Sequence, residues 1–559
     1  MDSRRTILVI LLLVLSFFMY QQWLLKDPAN TPGINSASAP QSEMPSNGAA
    51  SQQPEQSGIP QASSSAVPAA QPGASQGVNT GDTVRVTTDV LDLRISLRGG
   101  DIVRAELLEH AEKLGEEARY TILFQRPGEL HIAQSGLIGP DGTDTAAGRP
   151  IFSAQQTHFE LQGDELRVPL TYERDNGVTV TKEFVFRRGD YAVNLNQRVE
   201  NNSGDTIEMA AYGQLKQTTL NGGKGSMFMP TYRGGAYSSQ ETRYKKYSFG
   251  DIEKRALNEN TEAGWVAMLE HYFVTAWVPA QNTTNRLYST NLSASGEALM
   301  GFVGPTVAIA NGTSQTFESV IYTGPKNQDR LAELASNLDL TVDYGFLWWL
   351  AQPIHWLLSF LFGFVKNYGL AIILVTIIVK GLLYPLTKAQ YTSMAKMRKI
   401  APRMKELKDR YGDDRQKMSA AMMKMYKEEK VNPLGGCLPM ILQLPIFLAL
   451  YWVLLESPEI RHADFMLWIN DLSSRDPYFI LPLLMGASMF LMQKLQPTPI
   501  TDPMQQKIMQ WMPVMFTVFF LFFPAGLVLY WLVSNLISIS QMLWIYRQLD
   551  RKGLGAKAS

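Results

Sequence analysis

The sequence predicts a polytopic α-helical membrane protein with six transmembrane helices, a large antiparallel β-sandwich domain outside the cytoplasm and a cytoplasmic helical hairpin. Long apolar runs occur at the N-terminus and throughout the C-terminal third, and most are close to the length that spans a bilayer. The region between them instead alternates apolar and polar residues with the period of half-buried strands. At 559 residues, the chain has room for two or three domains.

Charge and cysteine content exclude several classes of function. The 51 Lys and Arg residues balance 51 Asp and Glu residues, so no overall positive charge favours nucleic-acid binding. Cys437 is the one cysteine in the chain, which rules out an intramolecular disulfide framework and a multi-cysteine metal centre. The six histidines are scattered without the spacing of metal ligands. We therefore expect no metal and no cofactor, and the pattern disfavours a soluble cytosolic enzyme.

Residues 1–26 are predicted to form a transmembrane anchor. Residues 7–25 are almost entirely apolar, and Arg4 and Arg5 precede them. About 19 helical residues roughly span the hydrocarbon core, and the two arginines would keep the N-terminus in the cytoplasm. A cleaved signal peptide is the alternative, but the A-x-A pattern at 37–39 lies far beyond the apolar run.

Residues 27–83 are predicted to be a disordered tether that leads to a β-sandwich at 84–343. The tether is rich in Ser, Ala, Gln, Pro and Gly, and cannot bury enough apolar surface to fold. In the sandwich, Leu93, Ile95 and Leu97 alternate with polar residues, and turn signals recur between such runs. One helix is predicted to close the domain, because four apolar residues share a helical face. These residues are Leu331, Leu334, Ala335 and Leu338.

The C-terminal third is predicted to contain an interfacial helix at 344–367 and a five-helix core at 368–546. Residues 344–367 are crowded with Trp and Phe and interrupted by Pro353, which favours a helix in the outer interface over the alternative of a transmembrane helix. The predicted core spans are 368–386, 434–455, 478–494, 511–524 and 527–546. The third and fourth spans are short for a bilayer of about 30 Å. Either the bilayer is thinned there, or the predicted ends are misplaced by a few residues.

Charge gives the orientation of these spans. Segment 387–433, which is predicted to be a helical hairpin, carries 13 basic and six acidic side chains, whereas loop 456–477 carries two basic and five acidic ones. The hairpin and the basic tail 547–559 therefore belong in the cytoplasm, and the sandwich belongs on the opposite side. The hairpin has a methionine stripe: Met394, Met397, Met404, Met418, Met422 and Met425. The stripe forms either the core of the hairpin or an adaptable surface for hydrophobic chains.

Lys380 lies inside the apolar run 370–385, about six residues before the predicted end of its span. No acidic residue occupies the interior of any predicted span, and a lysine within hydrocarbon costs about 2.5–3.5 kcal/mol. Two interpretations remain open. The side chain snorkels to the cytoplasmic interface, or it faces a water-filled cavity that is open to the cytoplasm.

Polar residues in neighbouring spans favour the cavity. Thr376 lies one turn before Lys380 on the same helical face, and Gln443 lies between two prolines in the second core span. The last span contributes a polar face with Asn535 beside it; the face consists of Ser534, Ser538 and Gln541. Such residues also form hydrogen bonds between helices. Together with an unpaired lysine, they indicate a hydrophilic groove within the bilayer.

Four long motifs stand out in the C-terminal third. They read YPLTKAQYTSMAKM at 384–397, NPLGGCLP at 432–439, DPMQQK at 502–507 and GLVLYWLVSN at 526–535. These motifs resemble those of the YidC/Oxa family of membrane protein insertases. Together with the anchor, the tether and the β domain, the resemblance extends over the whole chain and is to the Gram-negative form of the family.

The resemblance implies an inner-membrane insertase and chaperone, which inserts and folds integral membrane proteins alone or with the Sec translocon. Its partners would be nascent membrane proteins, the translocon with its accessory subunits, and membrane lipids. The ribosome is a further candidate partner, and no specific nucleic acid is expected. The resemblance also implies cytoplasmic N- and C-termini, a periplasmic β domain, no cofactor and no enzymatic reaction.

The resemblance further implies roles for individual residues. Lys380 matches a positively charged position in a hydrophilic groove, at which arginine is common in bacterial members. The matched substrate-contact positions are Thr376, Phe447, Phe519 and Trp531, the last with Tyr530 beside it. Trp531 stands where a tyrosine is usual, which argues against a role for a hydroxyl at that position.

A secondary transporter or channel for a small solute is the alternative function. Ion-coupled transport would be supported by acidic residues within the spans and by an internal repeat, and the sequence contains neither. A nucleotide-driven mechanism would require a phosphate-binding loop, and no Walker A motif occurs.

Overall fold

The computed structural model describes residues 82–145, 148–219, 232–293, 295–411, 414–429, 438–495 and 503–551. These residues divide into two compact units, one that ends at Val342 and one that begins at Asp343. The predicted anchor at 1–26 and nearly all of the predicted tether at 27–83 lie outside the described residues, as does most of the tail at 547–559.

The first unit is a β-sandwich, as predicted. Its described part forms an 11-stranded and a nine-stranded sheet. The strands are β1 (Thr83–Thr87), β2 (Leu91–Ser96), β3 (Ile102–Ala111), β4 (Arg119–Arg126), β5 (Glu129–Ile138), β6 (Ser153–Ala154), β7 (His158–Glu160), β8 (Glu165–Glu173), β9 (Val178–Arg187), β10 (Ala192–Asn201), β11 (Ile207–Thr218), β12 (Gly234–Ser238), β13 (Lys245–Tyr247), β14 (Asn258–Thr261), β15 (Trp265–Leu269), β16 (Phe273–Pro279), β17 (Asn285–Leu292), β18 (Glu297–Val303), β19 (Val307–Ile309) and β20 (Thr313–Pro325).

The two sheets bury their alternating residues against each other. The first sheet has the order β14-β17-β18-β11-β5-β4-β3-β2-β1-β7, with β19 paired to β11, and the second has the order β13-β12-β15-β16-β20-β10-β9-β8-β6. Leu93 and Ile95 are fully buried, as their alternation predicted. Pairing is antiparallel except between β1 and β7, which run parallel.

The predicted closing helix is shorter than its apolar spacing indicated. Helix α2 (Gln328–Leu334) ends because Ala335 is extended, and Asn337 then adopts a left-handed conformation at φ 66° before a 3-10 turn at Leu338–Thr341. Leu331 and Leu338 are nevertheless both buried in one cluster. The sequence analysis also missed helix α1 (Phe249–Lys254), whose capping box pairs Ser248 with Asp251.

A buried ionic network connects the two sheets. The Arg149 Nε donates to Asp144 Oδ1 at 2.6 Å, and its other nitrogens donate to Asp101 and to the Ser135 carbonyl. Lys182 of β9 reaches across and donates to the Ser135 carbonyl at 2.7 Å. Burial lowers the pKa of Lys182 to about 8. The network satisfies charges that would otherwise be costly inside a sandwich.

A buried histidine makes the stability of the sandwich depend on pH. His131 is fully buried, and its Nδ1 lies 3.9 Å from Glu270 Oε1. Burial, together with the nearby charge of Arg233, lowers the pKa of His131 to about 3 from its usual 6.5. The unfolded chain therefore binds a proton that the folded chain does not. We expect stability to fall as the pH drops from 6.5 towards 3, by about 1.4 kcal/mol per pH unit.

Chemical denaturation of the full chain at several pH values measures this slope. His131→Gln should flatten it, and the exposed His158→Gln serves as the control that leaves it unchanged. Burial raises the pKa of the neighbouring Glu270, which adds stability as the pH falls and therefore opposes the effect of the histidine. An equal slope in wild type and His131→Gln would show that His131 does not cause the pH dependence.

The second unit is helical in its described part. Its helices are α3 (Trp348–Val365), α4 (Tyr368–Leu382), α5 (Tyr384–Tyr411), α6 (Arg415–Glu428), α7 (Leu438–Glu456), α8 (Ile480–Leu495), α9 (Pro503–Phe520) and α10 (Ala525–Arg551). By length and composition, two described helices, at Gly345–Val365 and Ala525–Arg551, are able to cross a membrane, or three if a bent pair counts as one span. The predicted total of six spans thus remains a prediction, as does the interfacial position of 344–367.

Several helix ends differ from the prediction, including that of α10, which lies at Arg551 rather than at residue 546. Helix α4 ends at Leu382, and the chain bends by 64° into the first part of α5, so Lys380 lies two residues from the end of its helix and the predicted six was wrong. Helix α9 begins at Pro503 rather than at residue 511, although its apolar part is limited to Gln510–Phe520. Helix α8 is 16 residues long, which supports the prediction that this span is short.

Candidate intramembrane groove

Lys380 belongs to α4, and its side chain reaches α10. Its side chain is 6% exposed, and its Nζ donates to Ser538 Oγ of α10 at 2.9 Å. Ser538 Oγ in turn donates to the Ser534 carbonyl at 2.8 Å. Within the described part of the chain, no carboxylate pairs with this ammonium group. A buried cation that is held by a hydroxyl alone retains the capacity to attract an anion.

A cavity opens beside this lysine. It has about 300 Å³ of space free of atoms, including space open to the surroundings. Its polar lining consists of Thr376, Lys380, Gln443 and Tyr530, and its apolar lining consists of Ile354, Val375, Val379, Ile446 and Leu450. Four of the predicted groove residues therefore share one cavity, although they come from three different helices.

Thr376, and a further predicted groove residue, Asn535, have local partners. The Thr376 hydroxyl donates to the Ile372 carbonyl of its own helix at 2.6 Å, so its donor is already used. The Asn535 side chain turns away from Lys380 and donates from Nδ2 to Ser488 Oγ of α8 at 3.0 Å. Asn535 therefore connects α10 to α8, which is the alternative that the sequence analysis left open for such residues.

The predicted aromatic contact residues form a cluster between α7, α9 and α10. Phe447 packs edge-on against Trp531, with ring centroids 4.5 Å apart, and stacks nearly parallel to Tyr530, with centroids 5.9 Å apart. Phe520 links Trp531 to Phe519, at centroid distances of 4.7 and 5.6 Å. The structure thus joins all the predicted apolar contact positions in one surface of α7, α9 and α10.

Gln541 and Tyr391 hold the lysine site together, and Ser488 holds the neighbouring Asn535; the sequence analysis did not assign these roles. The Gln541 side chain donates to the Lys380 carbonyl at 3.2 Å, and the Tyr391 hydroxyl donates to the Ser538 carbonyl at 3.4 Å. Gln541 was part of the predicted polar face, whereas Tyr391 and Ser488 carry no periodic signal. Their partners become visible only when the helices are packed.

The methionine stripe divides between two clusters. Met404 and Met425 are buried together with Ile400, and Met397 and Met422 pack against them, which supports a hairpin core. Met394 instead packs against a cluster formed by Tyr391 with the end of α10. The first turns of α5 thus pack against the end of α10, and its later turns pack against α6.

A cavity that joins a buried lysine, which no carboxylate pairs with in the described residues, to apolar helices is typical of an integral membrane protein with a functional site inside the bilayer. Comparison with known proteins identifies the class further. Residues 83–357 match the model of the YidC periplasmic domain, and residues 360–552 match the model of the 60Kd inner membrane protein. The chain belongs to the YidC family of membrane protein insertases.

Individual relatives agree with this assignment. The chain is 51% identical to the membrane protein insertase YidC of Actinobacillus succinogenes over the full length of both chains. It is 54% identical to that of Shewanella amazonensis, over 99% of this chain and 100% of the relative. A crystal structure of an active YidC insertase with its first transmembrane domain resolved aligns at 20% identity and a TM-score of 0.37, and covers 83% of this chain and 92% of that one.

The family determines the coarse function and location. The chain acts as a membrane protein insertase of the inner membrane, and its β-sandwich is the periplasmic domain. The alternative of a solute transporter or channel receives no support from these relatives.

Proposed function

We propose that Lys380 draws an acidic extracytoplasmic segment of a substrate into the groove, from which the segment crosses to the periplasm. The observation that carries this proposal is the buried ammonium, whose one described side-chain partner is the neutral hydroxyl of Ser538. A substrate carboxylate offers this cation a stronger partner than a serine does, because a charge-assisted bond is roughly twice as strong as a neutral one. The mechanism requires no nucleotide, no cofactor and no chemical reaction.

Hydrophobic transfer supplies the driving force in this mechanism. Each methylene of the substrate that moves from water into lipid contributes about 0.8 kcal/mol. The aromatic surface of Phe447, Phe519 and Trp531 would contact the apolar part of the substrate while its polar tail occupies the groove. Thr376, Gln443, Tyr530, Ser534 and Ser538 would line the polar path, whereas Asn535 would position α10.

Short spans would assist the crossing. Helix α8 measures about 24 Å from its 16 residues, and the apolar part of α9 is shorter still. A bilayer that thins around such helices lowers the barrier for a polar segment beside them.

The finer assignments of partner and orientation belong to the same proposal. The termini lie in the cytoplasm, as the basic hairpin and the positive-inside rule indicate. Nascent membrane proteins are the substrates, and the protein acts alone or as a chaperone beside the Sec translocon and its accessory subunits. The basic face of the hairpin is suited to anionic lipid headgroups or to the ribosome.

Insertion into proteoliposomes that contain this chain alone tests the proposal. A small phage-coat-type protein with an acidic tail should become protected from external protease in a chain-dependent manner. Protection that appears only after addition of the translocon would contradict autonomous insertion.

Removal of the Ser538 hydroxyl should free the Lys380 ammonium group from its hydrogen bond to α10. The lost bond is to a charged group, and such bonds contribute roughly 1.5–3 kcal/mol. In Ser538→Ala we therefore expect Lys380 to react faster with an amine-modifying reagent added from the cytoplasmic side. Ser540→Ala is the matched control, because Ser540 bonds a carbonyl in the same helix but is exposed. Equal labelling of the two variants would argue against the Lys380–Ser538 bond.

A further inference from the structure

A short apolar turn lies between α7 and α8. Its residues, 465–469, read FMLWI and are apolar without interruption. Two backbone hydrogen bonds close it: the Phe465 amide donates to the Ile469 carbonyl at 2.9 Å, and the Ile469 amide donates to the Met466 carbonyl at 3.1 Å. We call residues 465–469 the apolar turn.

Three residues of the apolar turn face the protein. The Phe465 ring lies so close to Gly369 of α4 that a Cβ there would overlap it. Ile469 is buried, and the indole N–H of Trp468 donates to Asp476 Oδ1 at 3.1 Å. Packing within the chain therefore accounts for the apolar or aromatic character of these three residues, and it fixes the apolar turn beside the first turn of α4.

Leu467, at the tip of the apolar turn, is unusual in both its exposure and its backbone conformation. Its side chain is 81% exposed, and that of the adjacent Met466 is exposed as well. Leu467 is the first central residue of the turn and has a φ of 59°, a left-handed conformation for which turns favour Gly, Asn or Asp. The backbone thus favours a small residue at this position, and a side chain so exposed gains little from packing within the described part of the chain.

Phe479 repeats this combination at the start of α8. It is exposed, as is the preceding Tyr478, and it has a φ of 57°. Its carbonyl accepts from the Leu483 amide at 3.2 Å, so Phe479 is the N-cap of α8, a position that favours Ser, Thr, Asp or Asn. Among the non-glycine residues that the structure describes, five have a positive φ, and Leu467 and Phe479 are the two apolar ones.

Both residues lie at the level where apolar helices begin. The apolar turn packs against Gly369, the second residue of α4, and Phe479 directly precedes α8. Apolar side chains are exposed from the first turn of α4 onwards, beginning with Leu370. In a membrane protein the first turns of such helices lie near the boundary between headgroups and hydrocarbon. Backbone strain at a bulky residue is of the same order as the free energy gained when a leucine or phenylalanine side chain leaves water, so an apolar environment outside the chain offsets it.

We propose that the apolar turn and Phe479 insert into the nearer leaflet of the bilayer, which is the outer one in the proposed orientation, and contact its acyl chains. Met466, Leu467 and Phe479 form the contact surface, and the contact fixes the depth of α4 and α8 in the bilayer. Asp464 directly precedes the apolar turn and is exposed, so insertion is limited to the side chains at the tip. This anchoring requires only that the helical unit lies in a bilayer, and it is independent of how Lys380 acts on a substrate.

Fluorescence quenching in vesicles tests this contact. The full chain with Cys437→Ser and Leu467→Cys is labelled with bimane and reconstituted into vesicles with or without lipids that carry bromine on their acyl chains. The bromine lies about 5–10 Å below the headgroups, the depth that interfacial apolar side chains reach, and we expect it to lower the emission by about twofold. Iodide on both sides of the membrane should quench this label weakly.

The matched control is Asp464→Cys, because Asp464 lies in the same segment but is exposed and polar. Its label should show the opposite pattern, with quenching by iodide and little by brominated lipid. Quenching of the label at residue 467 by iodide rather than by lipid would overturn the proposal and leave this surface to a protein partner. Protection from both quenchers would overturn it as well, because protein, such as a second copy of the chain, would then cover the tip.

Substitutions of Leu467 distinguish lipid contact from a structural role. In a Cys437→Ser, Met466→Cys background labelled with bimane, Leu467→Asn should weaken quenching by brominated lipid, whereas Leu467→Met, which stays apolar, should retain it. Because asparagine suits the left-handed backbone, Leu467→Asn should leave the melting temperature of the chain in detergent unchanged or higher. A lower melting temperature together with unchanged quenching would show that Leu467 supports the fold instead, and would overturn its assigned role.

Discussion

Replacement of Lys380 by alanine or glutamate should lower the insertion of an acidic-tailed substrate by tenfold or more, whereas arginine should preserve it. Two unit charges 4 Å apart attract by about 4 kcal/mol at an effective dielectric of 20. Loss of one third of that attraction already corresponds to a tenfold change in the equilibrium constant for binding of the substrate tail. Arginine keeps the charge, and the cavity beside Lys380 offers space on the side of Gln443.

Protease protection of the substrate in proteoliposomes measures the effect. Lys388→Ala is the control for this series, because Lys388 follows Lys380 by eight residues but is exposed. Equal insertion by the alanine variant, the glutamate variant and the wild type would show that the charge of Lys380 does not act on the substrate. It would favour the interpretation that the lysine side chain snorkels to the cytoplasmic interface.

Replacement of Arg149 by alanine should destabilise the periplasmic sandwich by about 3–5 kcal/mol, the usual effect of removing one partner from a buried ionic network. Asp144 and Asp101 would each lose a charged donor while remaining buried. Lys182 would then be the nearest cation, but its bonds to the Gly99 and Ser135 carbonyls hold it in place.

Denaturant unfolding of the full chain, followed by proteolysis of the unfolded sandwich, gives this value. Arg167→Ala is the matched control, since Arg167 pairs with Glu165 and Glu183 at the surface. Exposed pairs contribute about 0–1 kcal/mol. A loss in Arg149→Ala no larger than in the control would mean that the buried network does not stabilise the sandwich.

Much of the fold could be predicted from sequence because its signals are local. Alternating residues such as Leu93 and Ile95 predicted the sandwich, and the unpaired Lys380 with the polar face of α10 predicted a groove. The predictions that were wrong concern features that depend on how the helices pack. The end of α4 at Leu382 lies inside an apolar run that continues past it, and the prediction did not use Gly381 and Pro385, which are the local signals for a helix break there.

At the site, too, some residues could be predicted from the local sequence, whereas their partners depend on contacts between helices. Ser538 was predicted because it shares a helical face with Ser534, and the structure adds that Lys380 is its partner. Asn535 lies next to Ser534 in sequence but faces α8, because successive helical residues point in directions about 100° apart. Its partner Ser488 is a lone serine in an apolar helix, and only the contact between α8 and α10 distinguishes it.

Reversal of the charge at residue 380, combined with reversal of the charge on the substrate tail, tests the central claim most directly. In proteoliposomes without a membrane potential, wild type should insert a substrate with an acidic tail better than one with a basic tail. Lys380→Glu should reverse this preference, so that the basic tail is inserted better. The same preference in both proteins, or none in either, would contradict the claim that Lys380 acts on the charge of the substrate.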